Sequence, residues 1–235
     1  MDKYQQTVNV FDKAADKYQQ KYMDCALYAD SLNRFAALID TQFNIESSSK
    51  SAFKTETGIS VYDIGCGPGN ASLYLQQALA QQRNVPINIS GIDLSTAMIT
   101  IAKQQNPTGK FEVNDIRQIS VSNDKFNVLL CSFCLPYLAK SDIAPFIESL
   151  AKVSTPQALI YIGFMQDDYS QSCVQESAEG DKLHMYFYQP AFIASLLCQY
   201  DFEIVTSFTQ DHIVDGQKMA TDRFLFAKKT VLIKE

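Results

Sequence analysis

Val61-Tyr62-Asp63-Ile64-Gly65-Cys66-Gly67-Pro68-Gly69-Asn70 joins an apolar run to a glycine-rich loop, and Ala71, Leu73, Leu75, Ala78 and Leu79 then recur at helical spacing. The run Val61 to Ile64 suits a buried strand, because β-branched and aromatic side chains pack well on a pleated surface. Glycines at 65, 67 and 69 permit backbone angles closed to most residues and let a ligand approach the main chain. The first N–H groups of the next helix have no partner inside it and point back at whatever the loop holds. The stretch reads as strand, loop and helix built around a nucleotide-like ligand.

Beyond the loop, apolar runs alternate with helical patterns: strand 60–64, helix 70–82, strand 87–93, helix 95–105, strand 110–113, strand 126–131, helix 140–153 and strand 158–164. Such alternation predicts parallel strands joined by helical crossovers. Only the crossover over 116–121 shows little helical pattern, whereas Ile143, Phe146, Ile147 and Leu150 form a clear helical stripe. A helix over 190–200 and two strands, 202–208 and 222–229, complete the chain. Their polar connection predicts an antiparallel pair at the sheet edge.

Upstream of the loop, Phe11, Ala14, Ala15, Tyr18 and Tyr22 form one helical set, and Cys25, Tyr28, Ala29, Leu32, Phe35, Ala36 and Ile39 a second. These predict a helical cap over 1–43 and a core over 44–235, with 44–58 a surface connection and 166–188 an insertion on the substrate side.

With 46% apolar residues among 235, the chain can bury a substantial core. Its 20 basic and 26 acidic residues leave a formal charge of -6, which argues against nucleic acid and for a small-molecule partner. The amino terminus carries no apolar signal, and stretches such as 158–165 are too short to span a bilayer, so a cytoplasmic protein without a membrane partner is expected. Six irregularly placed cysteines read as reduced thiols. Cys131 and Cys134 have C-x-x-C spacing, but there is no second pair and there are only two histidines. Core packing or pocket lining is therefore preferred to a zinc or redox role, and no metal is expected.

A dinucleotide fingerprint, G-x-G-x-x-G, needs glycine where Asn70 stands. The strand, G-x-G-x-G loop and helix, followed by an acidic residue in Gly91-Ile92-Asp93-Leu94-Ser95, resemble the class I S-adenosylmethionine-dependent methyltransferases. The resemblance covers 60–165, and the terminal helix and strand pair fit it as well. It implies an α/β, Rossmann-like, seven-stranded and mostly parallel sheet with an antiparallel last strand, helices on both faces and an amino-terminal helical lid. It also implies S-adenosylmethionine as cofactor, a small-molecule acceptor and S-adenosylhomocysteine as coproduct.

Carried over residue by residue, Asp93 matches the carboxylate that accepts from both ribose hydroxyls, for which two acceptor oxygens are suited. Asn114, Asp115 and Ile116 match the adenine segment, and Leu94 with Ile116 sandwiches the ring or ribose. Asp63 matches the acid that fixes the loop or receives the methionine ammonium through water, and the loop itself contributes Gly65, Cys66, Gly67 and Gly69. Cys131 and Phe133 fall near the transferring methyl, and Tyr18 and Tyr22 match lid tyrosines.

Cys134-Leu135-Pro136-Tyr137 stands where enzymes acting on nucleobase or amide nitrogens carry Asn/Asp-Pro-Pro-aromatic. The lost polar acceptor argues against those substrates. Tyr137 is a candidate pocket residue, and His184 a candidate general base because an imidazole titrates near working pH. The residues suit acceptors at oxygen, nitrogen, sulfur or carbon alike. Two other readings stay open: a non-catalytic S-adenosylmethionine-binding regulatory protein, and a nicotinamide-dependent oxidoreductase, which Asn70 and the antiparallel ending disfavour.

Overall fold

In the computed structural model, residues 2–22, 25, 27–48, 58–82, 86–121, 124–214 and 217–231 are described. The central strand β1 (Ile59–Ile64) is buried at every position but Ser60, as a parallel strand covered on both faces must be. It leads through the glycine loop into α3 (Asn70–Gln82), after α1 (Lys3–Tyr22) and α2 (Ala29–Ser48). The chain continues as β2 (Ile87–Asp93), α4 (Thr96–Gln105), β3 (Lys110–Val113), β4 (Phe126–Ser132), α5 (Lys140–Val153) and β5 (Ser154–Met165). A hairpin follows, β6 (Cys173–Glu176) and β7 (Lys182–Met185), then α6 (Pro190–Gln199), β8 (Phe202–Val214) and β9 (Gln217–Lys229).

The seven-stranded sheet runs β3-β2-β1-β4-β5-β9-β8. β1 pairs in parallel with β2 and β4, while β9 runs antiparallel to both β5 and β8. Strand order reverses between β1 and β4, and open α/β sheets bind ligands at that crevice, beyond the carboxyl ends of the strands. Asp63, Asp93 and Ser132, at the ends of β1, β2 and β4, therefore converge there.

Side chains alternate across the sheet, so each face builds its own core. Tyr62, Ile64, Leu129, Cys131, Ile160 and Ile162 join the apolar stripe of α5 and α6. Val61, Val128, Leu130, Tyr161 and Phe226 pack with α2 and α3. In α2, Leu32, Phe35, Ala36, Ile39 and Phe43 are buried at helical spacing, and the Phe35 ring centroid lies 5.1 Å from that of Phe226. This helix is thus a layer of the core and runs past residue 44, where a surface connection was expected. Residues 49–57 of that stretch lie outside the described residues.

Three features differ from the sequence expectation. The weak crossover over 116–121 is a 3₁₀ turn. The insertion at 166–188 contains the separate β6–β7 hairpin. The last two strands form a longer hairpin than their apolar runs indicate, because cross-strand pairing from Phe202↔Lys229 to Val214↔Gln217 carries polar residues along with it.

Candidate functional site

Gly65 and Gly67 adopt left-handed backbone angles, with φ of 69° and 53°. A Cβ on Gly65 would stand 2.6 Å from the Cys134 Cβ, so only glycine lets the loop touch the turn after β4. A Cβ on Gly67 would meet no protein atom within 4 Å. That side of the backbone faces the crevice, and a ligand can lie against it.

The loop is held by the end of β2. Cys66 N–H donates to Ile92 O at 2.9 Å, and Gly67 N–H donates to Asp93 Oδ2 at 2.9 Å. The other Asp93 oxygen accepts from Ser95 N–H at 2.8 Å. Each carboxylate oxygen has two lone-pair sites, so both remain able to accept a further donor from the crevice. Burial raises the Asp93 carboxyl above the ordinary range, opposed by its backbone donors.

Asp63 is 1% exposed and is pushed up to about 7 by burial, with Ser72 hydrogen bonds lowering it and the Asp93 charge raising it. Its Oδ2 has no hydrogen-bond partner among the described residues. An unpaired buried carboxylate oxygen is costly, which makes the position a natural receptor for a cation or a donor.

Two cavities flank the loop. The larger, about 110 Å³, is bounded by Gly65, Gly67, Asp93, Leu94, Asp115 and Ile116 on the sheet side and by Phe133 and Tyr137 beyond β4. The smaller, about 50 Å³, is bounded by Asp63, Cys66, Asn70 and Tyr28. Tyr18, Gly65, Gly67 and Ser132 border both, so the two chambers meet at the loop.

Helix α1 roofs the larger chamber with Tyr4, Thr7, Val8, Phe11 and Tyr18. Its attachments lie at the ends of other helices. The Tyr4 hydroxyl donates to the Asp142 carboxylate and accepts from Ala139 N–H at 3.2 Å, at the start of α5. Asp12 Oδ1 accepts from Ser95 Oγ at 2.5 Å and from Ala97 N–H at 3.1 Å, at the start of α4. Both anchors satisfy N–H groups that a helix leaves open, and Asp12 also places a carboxylate at the positive end of the α4 dipole. The β6–β7 hairpin braces the same helix, through Lys13–Asp181 at 2.7 Å and His184 Nε2 with Gln6 Oε1 at 2.8 Å.

Of the expected site residues, Tyr18, Asp63, Gly65, Cys66, Gly67, Asp93, Leu94, Asp115, Ile116, Phe133 and Tyr137 border one or both chambers. Gly69 instead backs onto Ala102, where an added Cβ would lie 3.3 Å from the Ala102 Cβ. Asn114 opens onto a separate groove bordered by Tyr62, Ile92 and Phe126; its Oδ1 accepts from Asp115 N–H at 2.8 Å. Cys131 is fully buried in the core, because strand alternation turns Ser132 toward the crevice in its place. His184, the expected general base, hydrogen-bonds with Gln6 and borders neither chamber. The side chain of Tyr22 lies outside the described residues.

Asp115 reaches the chamber already paired. Arg117 donates to it from Nε at 2.9 Å and from Nη2 at 2.5 Å, and the guanidinium lies 3.9 Å from the Tyr4 ring centroid. Arg117, Met98, Ser132, Leu138 and the first turns of α1 were not identified from sequence as site residues, whereas Cys134, read as core or pocket lining, borders the larger chamber. The signal for α1 was available, since Tyr4, Val8, Phe11, Ala15 and Tyr18 continue one helical stripe.

Residues 61–157, which run from β1 into β5, match the family model described as a methyltransferase domain. Trans-aconitate 2-methyltransferase of Escherichia coli is 47% identical over 57 residues, 24% of this chain and 21% of that protein. The 2-methyl-6-phytyl-1,4-hydroquinone methyltransferase of Synechocystis sp. is 24% identical over 175 residues, 70% of this chain and 49% of that protein. The chain thus spans less than half the length of either curated relative. Among solved structures, magnesium protoporphyrin IX methyltransferase from Synechocystis PCC 6803 with bound S-adenosylmethionine superposes with a TM-score of 0.69 at 17% identity, covering 98% of each chain. The matched segment contains the glycine loop and Asp93, and the chain has the same fold as that methyltransferase structure.

Proposed function

We propose that the protein is an S-adenosylmethionine-dependent methyltransferase that methylates a small-molecule acceptor and leaves S-adenosylhomocysteine. The observation that carries this reading is that Asp93 and the open backbone of Gly67 share one chamber wall at the strand-order reversal. The residues fit the cofactor. Asp93 retains acceptor sites for a vicinal diol, Leu94 and Ile116 offer apolar surface to a ring, and the unpaired Asp63 oxygen suits an ammonium group, directly or through water. Asp115 and the Ile116 backbone face the adenine side, with Arg117 fixing the Asp115 carboxylate.

When bound, S-adenosylmethionine supplies an electrophilic methyl group on a sulfonium. The protein's part is alignment and exclusion of water, which dominate displacement chemistry of this kind. Helix α1 provides both as a lid, closing the chamber with Tyr4, Val8, Phe11 and Tyr18. The 166–188 segment serves as its brace. Of the two candidate catalytic side chains, Tyr137 faces the chamber and can exchange a hydrogen bond with the acceptor.

Titration calorimetry with S-adenosylhomocysteine and with NAD tests the reading, followed by methyl transfer from labelled donor to a panel of small acids, phenols, amines and thiols. S-adenosylhomocysteine should bind and NAD should not. Asp93→Ala should weaken that binding at least several-fold, in line with roughly 1–3 kcal/mol for charge-assisted hydrogen bonds. NAD binding without S-adenosylhomocysteine binding would overturn the assignment. Binding with no transfer to any acceptor would favour the non-catalytic alternative.

A further inference from the structure

Among the described residues, Asp93, Asp115 and Arg117 are the charged side chains that border the larger chamber, and Arg117 is the one cation. Its guanidinium is fixed along one edge and on one face. Nε and Nη2 donate to Asp115 Oδ2 at 2.9 and 2.5 Å, and the group lies 3.9 Å from the Tyr4 ring centroid. Tyr4 is itself held at the start of α5 by Asp142 and Ala139. A guanidinium carries five N–H donors, and the Asp115 pairing takes only its Nε edge. Nη1 makes no hydrogen bond among the described residues, so the end-on fork of Nη1 and the outer Nη2 N–H stays open.

The surroundings of this fork differ from those of the donor groups. Thr7, 6% exposed, brings a hydroxyl to the chamber from α1, and Val8, Phe11, Tyr137 and Leu138 supply apolar and aromatic wall. The donor is assigned to Asp63, Asp93, Asp115 and the loop, which leaves the fork for the acceptor. Lys3, the other cation on the Tyr4 ring, lies 5.1 Å from its centroid and does not border the chamber.

We infer that Arg117 is the acceptor-specificity residue, and that the acceptor is a small molecule whose carboxylate is gripped by the open fork while an apolar or aromatic body packs on Val8, Phe11, Tyr137 and Leu138. This names the substrate class of the methyltransferase reading above and rests on that reading. A planar fork gives two parallel N–H···O bonds to the two oxygens of a carboxylate, whereas an amide offers it one acceptor oxygen and two N–H groups. Asp115 takes up part of the Arg117 charge, so the discrimination comes from the paired hydrogen bonds more than from net charge. Tyr4 and Asp115 fix the fork before the acceptor arrives, which lowers the cost of ordering a long side chain on binding.

The test titrates benzoate and succinate, and their uncharged counterparts benzamide and succinamide, into the protein with and without S-adenosylhomocysteine, read by calorimetry. At least one carboxylate should bind about tenfold or more tightly than its amide. Arg117→Gln should bring that ratio to about one, and Arg117→Lys should leave it at a few-fold, because an ammonium has no planar fork. Lys3→Ala should keep the parent ratio. The ratio is taken within one protein, so a change in donor affinity from the freed Asp115 does not move it. Equal binding of acid and amide by the parent, or no binding of either carboxylate at millimolar concentration, would overturn the inference. A preference that survives Arg117→Gln, or that Lys3→Ala abolishes, would do the same. If Arg117→Gln fails to fold, Arg117→Lys carries the comparison, and an undiminished ratio there counts against the fork. S-adenosylhomocysteine binding without any carboxylate preference would refute the specificity role and leave the cofactor reading standing. Carboxylate preference in a protein that never binds S-adenosylhomocysteine would refute the cofactor reading and leave the fork standing.

Discussion

Asp12 caps a helix that is not its own: its Oδ1 lies 2.5 Å from Ser95 Oγ, and the Ser95 N–H in turn donates to Asp93. The lid helix α1 and the carboxylate assigned to the ribose are therefore joined through one serine. Asp12→Ala should loosen α1 and weaken S-adenosylhomocysteine several-fold, since such helix-end contacts contribute about 1 kcal/mol. Hydrogen exchange should report faster exchange over 3–22 and at the start of α4. Unchanged protection in both would contradict the linkage.

The two loop glycines should fail in different ways. Gly65→Ala drives a Cβ to 2.6 Å from Cys134 and should destabilise the fold by about 1–3 kcal/mol in urea denaturation. Gly67→Ala meets no protein atom and should cost only about 1 kcal/mol of backbone strain, yet it should impair S-adenosylhomocysteine binding because its methyl points into the crevice. Equal stability loss in the two variants would refute this contrast.

Asp63 makes stability depend on pH. Its folded value of about 7 lies above the ordinary 3.8, so the folded state holds a proton that the unfolded chain has released between those values. That contribution is fully present below about pH 4 and is lost as pH rises through 7. Asp63→Asn should thus gain thermal stability relative to the parent as pH rises from 5 to 8, by up to a few kcal/mol. Parallel melting-temperature curves for the two proteins would rule the effect out. In the same window the charged carboxylate is the better partner for an ammonium, so cofactor affinity of the parent should rise with pH.

His184→Ala should leave kcat within about twofold, because the imidazole faces Gln6 and not the chamber. Any loss should appear in KM, through a less firmly braced α1. Tyr137→Phe should affect turnover more, as the ring remains against Phe11, 4.9 Å between centroids, while its hydroxyl is removed from the chamber wall. A His184→Ala enzyme with abolished kcat and normal KM would restore the general-base role.

The sheet was legible because its strands alternate with helices whose apolar stripes are local patterns; β2, β3, α3 and α5 have the predicted limits. Gly65, Gly67, Asp93 and Ile116 could be placed at the crevice because strand ends and the loops after them must gather there. Cys131 went astray by one residue, and in a strand one residue changes the face. His184 was misplaced for another reason: its position depends on a hairpin docking onto α1, a contact of sequence separation 178 that no local pattern encodes. Arg117 was missed because it stands on a 3₁₀ turn whose sequence shows no periodicity, two residues after its partner Asp115.

Helix α1 is tethered at the starts of two different helices, at Tyr4 to α5 and at Asp12 to α4, and the chamber lies beneath the span between them. With the β6–β7 hairpin bracing the middle of the same helix, Asp12→Ala and Tyr4→Phe should each loosen one end of the roof and leave the other end held.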